Sequence, residues 1–119
     1  MNKLPDDQFD DETRSAIVRR LNDEFRTTLT GGAVLMTAGV VALGADKQAE
    51  VLAAVQAFDA FTPDNDPWNE HDFGEVEVSG ERIFFKLDYY DLNRACHSPE
   101  PADPVVTERV MTIMLASEY

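Results

Sequence analysis

Apolar residues recur at helical spacing over Ile17, Val18, Leu21, Phe25 and Leu29, and this predicts one amphipathic helix. Asp10 or Asp11 can cap it, Glu12 suits the positive end of its first turn, and Thr30-Gly31-Gly32 ends it. A continuous apolar run follows, Ala33 to Val41 broken only by Thr37 and Gly39. It reads as a buried strand over about 33–38 that turns at Gly39, although periodicity alone does not separate such a run from a helix. A second helix starts near Asp46, carries Val51, Leu52, Val55, Phe58 and Phe61 on one face, and stops at Thr62-Pro63.

Strict alternation then takes over. Gly74 to Val78 alternates polar with apolar, Ser79-Gly80 makes a turn, and Glu81 to Tyr90 returns as the second strand of a β-hairpin. Residues 91–104, with Pro99, Pro101 and Pro104, are irregular. Asp103-Pro104 reads as the opening of a last helix, with Val106, Val110, Ile113, Met114 and Tyr119 as its apolar face. The expectation is an α+β domain over 11–119 behind a flexible acidic leader, 1–10. The element order is α-β-α-β-β-α, with a three-stranded, mainly antiparallel sheet packed against helices.

Composition narrows the function classes. The chain has 119 residues, enough for one domain with a real core. Twenty-three acids against ten bases give a net charge of -13. That balance disfavours direct nucleic-acid binding and an anionic membrane surface, and favours a basic protein partner. Self-repulsion mildly favours a monomer over the alternative, a small homo-oligomer. Cys96 is the only cysteine, so no internal disulfide forms and a reducing compartment is the default. Met1 to Asp7 lacks an apolar signal region, and no apolar run approaches the roughly 20 residues that span a bilayer. A cytoplasmic protein is expected. No cofactor motif is present, neither a glycine-rich phosphate loop nor HExxH nor a nucleophile elbow.

The densest chemistry lies in Asp64 to Gly74, which holds four carboxylates, His71 and the only tryptophan, Trp68. Asp64, Asp66, Glu70, Asp72 and Glu75 occupy positions 1, 3, 7, 9 and 12 of a calcium-loop window, but Trp68 stands at position 5 and Asn69 replaces the glycine at position 6. An EF-hand is therefore rejected. Asp64, Asp66, His71 and Asp72 remain an alternative metal or acid–base set, and Cys96-His97 is the only other suggestive pair. On the return strand, Phe84 and Tyr90 must face the side opposite to Phe85 and Tyr89, so one pair is core and the other is open to a partner or a helix.

Between Arg26 and Arg82 the only base is Lys47, against ten acids. Such a stretch, gathered on one face, would attract the groove of a basic protein. The reading is a small non-enzymatic interaction protein that mimics nucleic acid. Asp64, Asp66, Glu70, Asp72, Glu75 and Glu77 stand in for phosphates, and Trp68 is an apolar anchor. The alternatives are a metal-dependent or acid–base enzyme built on the same loop, or an accessory subunit of a larger complex.

From about Asn22 to Tyr119 the chain resembles a family of short bacterial proteins catalogued as domain of unknown function 3768. The residues that carry the resemblance are Asn22-Asp23-x-Phe25-Arg26, Leu35 to Val40, Phe58-Asp59-x-Phe61, Asp64-Asn65-Asp66-Pro67-x-x-Glu70 to Gly74, Lys86-x-Asp88 to Asp91 and Thr112 to Tyr119. Where such proteins often carry Trp before the lysine of the second hairpin strand, this chain has Phe85. Members occur mainly in alphaproteobacteria, often on mobile elements. The resemblance thus implies an accessory role, with interference in host defence (anti-restriction or anti-CRISPR) as the class to consider.

Overall fold

In a computed structural model that describes residues 10–119, one mixed sheet is backed by helices on a single face. Helix α1 spans Asp11–Thr28 and is capped by Asp10, whose Oδ1 accepts the Thr13 N–H at 2.6 Å. The glycine pair does not end it. Leu29 itself takes the left-handed exit at φ 59° and donates its N–H to the Phe25 carbonyl, because its side chain packs on the core from there. Strand β1 covers Ala33–Met36, shorter than expected, and Gly39 lies inside a one-turn helix α2, Ala38–Val41. Helix α3, Ala45–Ala57, stops before Phe58, which is extended. Phe61 therefore belongs to the loop.

Strands β2, Phe73–Val78, and β3, Glu81–Tyr90, form the expected hairpin. Ser79 and Gly80 both have positive φ, as a two-residue hairpin loop of matching twist requires. The main correction is at the C-terminus. Residues 104–119 are not a helix: Glu108–Leu115 is strand β4, followed by a single 3-10 turn over Ala116–Glu118. Asp103-Pro104 instead lies in a turn, with the Asp103 side chain accepting the Val105 N–H. Strand β4 is central and buried on both faces, since Met111 and Ile113 face the helices while Val110 and Met114 face the other way. A strand covered on both sides loses its period of two, and its apolar residues then match helical spacing by chance.

The sheet is accordingly four-stranded, in the order β1-β4-β3-β2, with β1 parallel to β4 and the other pairs antiparallel. The coarse α+β class holds; three antiparallel strands do not. The core lies between the sheet and α1 and α3, around Phe25, Val51, Val55, Ile83, Phe85, Met111 and Ile113, all essentially inaccessible. No helix among the described residues is long and apolar enough to cross a membrane. The leader falls outside the described residues but for Asp10.

Candidate functional site

The loop 58–72 joins α3 to β2 and is held by its own polar side chains. Asn65 Oδ1 accepts the Thr62 N–H, and its amide donates to the Ala60 carbonyl. Asp66 is buried, and its Oδ1 accepts the N–H groups of Glu70 and His71, each at 3.1 Å. These bonds accompany positive φ at Asn69 and His71, 57° and 58°, a conformation uncommon outside glycine that asparagine and histidine adopt more readily than most residues. Asp66 is thus a loop-folding residue, turned inward.

His71 is enclosed too. Its Nδ1 lies 2.8 Å from Asp23 Oδ1, its Nε2 lies 3.6 Å from Asp66 Oδ2, and its ring stacks on Phe61 at 3.8 Å. Arg26 covers the far side: its guanidinium lies over Phe61, pairs with Asp23 at 3.1 Å, and donates to the carbonyls of Val55 and Phe58 that end α3. Both imidazole nitrogens therefore face carboxylates and the ring face is covered.

Next to it is a buried hub. Asn22, fully buried in α1, donates to the Glu70 carbonyl at 2.9 Å and to the Tyr89 hydroxyl at 2.8 Å, and accepts from Arg109 Nε at 2.9 Å. The Tyr89 hydroxyl donates to Glu70 Oε1 at 2.9 Å. Arg109 also donates to the Pro101 carbonyl and lies against the Tyr89 ring. Burial lifts the Glu70 carboxyl above the usual carboxylate range, against the Tyr89 hydrogen bond, and the charges of Asp72 and Asp66 add to the rise. Burial also raises Tyr89 and lowers Arg109, so the hub holds a neutral phenol and a guanidinium kept charged by its partners.

None of Asn22, Asp23, Arg26, Tyr89 and Arg109 stood out as a site residue in the sequence. A signal was present nonetheless, since Asn22 and Arg26 occupy positions on the apolar face of α1. Polar residues on a buried stripe must find partners. Among the described residues no cluster of three or more ligating side chains is arranged to hold a metal ion. Asp64, Asp66, His71 and Asp72 are not brought together as a ligand set. Cys96 is exposed, and His97 lies apart, in a bridge with Tyr90.

The open face of the sheet is a different surface. Strand register puts Phe73, Glu75 and Glu77 of β2 on it, with Arg82, Phe84, Lys86, Asp88 and Tyr90 of β3. Phe85 and Tyr89 are the core pair, Phe84 and Tyr90 the open one. Tyr119 packs edge-on over Phe84 and beside Phe73. Where this face meets the loop, a groove of about 480 Å³ opens between Trp68, Phe73, Tyr90 and Tyr119, with Asp72, Lys86 and Asp88 in its wall. Trp68 is 72% exposed.

Of the ten acids of the base-poor interval, Glu75 and Glu77 lie on the edge strand β2. Helix α3 packs beside β2, Lys47 hydrogen-bonds Ser79 in the hairpin turn, and Asn65 shares a shallow groove with Glu75 and Glu77. Glu75 is held in a fork by Arg82 at 2.8 and 3.1 Å, which keeps its carboxyl below the usual range. Glu77 and Asp64 are exposed and make no side-chain hydrogen bond or ion pair among the described residues. Of the six proposed phosphate surrogates, then, Asp64, Glu75 and Glu77 face solvent, Asp66 and Glu70 are spent on the loop and the hub, and Asp72 is half-buried at the groove.

A family model described as "Protein of unknown function (DUF3768)" matches residues 36–118, well over half of the chain. The chain belongs to this family. No match is found among curated proteins or solved structures. The matched segment begins after α1, so Asn22, Asp23 and Arg26 are supplied from outside it to a loop that lies wholly within it.

Proposed function

We propose that this member of the family is a non-enzymatic interaction protein that offers its acidic β2 edge to a basic, nucleic-acid-binding protein and competes there with nucleic acid. The observation that carries the reading is the pair of exposed carboxylates, Glu75 and Glu77, on one face of the edge strand β2, in a protein whose net charge is -13. Glu75 and Glu77 share a strand face at a spacing of about 6.8 Å, two strand rises. That is of the order of the interval between successive phosphates. Asp64 and Trp68, both exposed on the preceding loop, complete the proposed surface as a further carboxylate and an apolar anchor. Asp66 and Glu70 leave the surrogate set, because their carboxylates are engaged inside the fold. The family's expected presence on mobile elements favours a defence nuclease or CRISPR complex as the target.

The test is capture from a bacterial lysate followed by elution with duplex DNA. The expected result is a basic protein retained by the wild type, released by the duplex, and lost from a D64N/E75Q/E77Q variant. A retained protein that the duplex does not release would favour the accessory-subunit alternative and overturn mimicry.

A further inference from the structure

The groove between the loop and the open sheet face has a chemistry of its own. Its sides are aromatic: Trp68, Phe73, Tyr90 and Tyr119. Of its charged groups, Lys86 is engaged by Asp88 at 3.5 Å. Asp72 has no such partner. Its backbone carbonyl accepts the Leu87 N–H, but its carboxylate receives no hydrogen bond or ion pair from another side chain among the described residues. It is half-buried, and burial together with the charges of Asp66 and Asp88 outweighs the help of its own backbone N–H and of His71. A half-buried carboxylate facing like charges across aromatic walls is a place where a cation gains both an ion pair and ring faces.

We propose that this groove seats an arginine side chain of the basic partner, its guanidinium forked to Asp72 and stacked between Trp68 and Tyr90. Arginine fits better than lysine because its planar fork pairs with a carboxylate while its face lies on a ring. A second copy of this chain is a poor occupant, since it would set -13 against -13. Aromatic side chains on an open sheet can also stack nucleic-acid bases, but two carboxylates in the groove repel the backbone. The inference rests on a basic partner, as the proposed function does, and adds a seat where the open sheet face meets the loop, at Asp72 and Tyr90 rather than at Glu75 and Glu77.

Trp68 is the only tryptophan, so its fluorescence reports on the groove directly. Hexa-arginine amide should give a saturable change in Trp68 emission, with hexalysine at least five-fold weaker and hexacitrulline inactive. D72N should weaken hexa-arginine at least ten-fold, while the remote double neutralisation D46N/E50Q weakens it less than three-fold. W68F, followed by amide NMR shifts of Lys86 and Tyr90, should also lose affinity and guards against a fluorescence artefact. Equal loss in D72N and D46N/E50Q would overturn the seat in favour of a diffuse field. An absent response to hexa-arginine, or an equal response to oligothymidylate, would overturn it as well. If the captured protein is still released by duplex DNA while hexa-arginine does not bind, the groove assignment fails and mimicry stands. The reverse pair of results leaves the seat standing and removes mimicry.

Discussion

Replacing Asn22 by leucine, which is close to it in volume, tests whether the loop is truly tied to the fold. The substitution removes three hydrogen bonds at once, to the Glu70 carbonyl, the Tyr89 hydroxyl and Arg109 Nε. Tyr89 keeps its bond to Glu70 Oε1, so two groups are stranded: a carbonyl, and one face of a buried guanidinium. Each orphaned buried polar group costs about 1–3 kcal/mol, with the charged one at the upper end. The expected loss is therefore about 3–6 kcal/mol, a large share of the roughly 5–15 kcal/mol that holds a domain together. For a chain of this length it lowers the melting temperature by about 12–24 °C. Urea unfolding followed by far-UV circular dichroism measures the loss. D64N, which touches only solvent, serves as control and should stay within about 0.5 kcal/mol. Amide exchange at Glu70 and His71 should quicken in N22L, because Asn22 holds the Glu70 carbonyl at the hub. A loss below about 1 kcal/mol would refute the reasoning, since it would mean that Asn22 is not the joint between α1, the loop and β4.

Other changes give equally definite outcomes. At Gly74 a β-carbon would overlap the buried Phe85 ring and crowd Phe58, so G74A should cost about 1–3 kcal/mol and loosen the β2 edge, seen as faster amide exchange in Glu75 and Glu77. Glu70 and Asp72 both have raised folded-state values, chiefly through burial, so the folded state holds protons that the unfolded chain has released. Their contribution is harmless below the ordinary carboxylate range and becomes destabilising as the pH climbs through the raised values. D72N should therefore be more stable than wild type at pH 7, the gap closing near pH 4, as urea midpoints across pH will record. A wild type as stable as D72N at pH 7 would show that Asp72 is not strained by its neighbours.

Much of this was legible in the sequence, and the failures have physical causes. Helix α1, the β2–β3 hairpin and the separation of Phe85 and Tyr89 from Phe84 and Tyr90 follow from local periodicity, which the chain displays plainly. Strand β4 does not follow, because burial on both faces erases alternation, and Val110, Ile113 and Met114 then fall at spacings a helix would use. With β4 hidden, β1 had no visible partner. The hub was hidden for another reason. Asn22 reaches Glu70 across 48 positions and Arg109 across 87, and no local pattern encodes such closure. What α1 does show is a polar residue on an apolar stripe, a mark of a buried bond with its partner unnamed.

The acids of the loop do two opposed jobs, and Asp72 lies where the two meet. Asp66 has its charge met by the N–H groups of Glu70 and His71, which folds the loop, and Glu70 accepts from the Tyr89 phenol, which offsets part of the cost of its burial. At Asp72, burial and the charges of Asp66 and Asp88 outweigh what its own backbone N–H and the nearby His71 supply, so it weakens the fold at neutral pH. A cation seated against it would reverse that sign, because a ligand bound only by the folded state stabilises it by about 2.7 kcal/mol at a hundred times its dissociation constant. Wild type with hexa-arginine should then gain about 10 °C in melting temperature, whereas D72N, more stable at the outset, should gain little. Stability and binding therefore rank the two proteins in opposite orders. A residue that served only solubility or packing would not produce that crossing, because removing it would leave the response to the peptide unchanged.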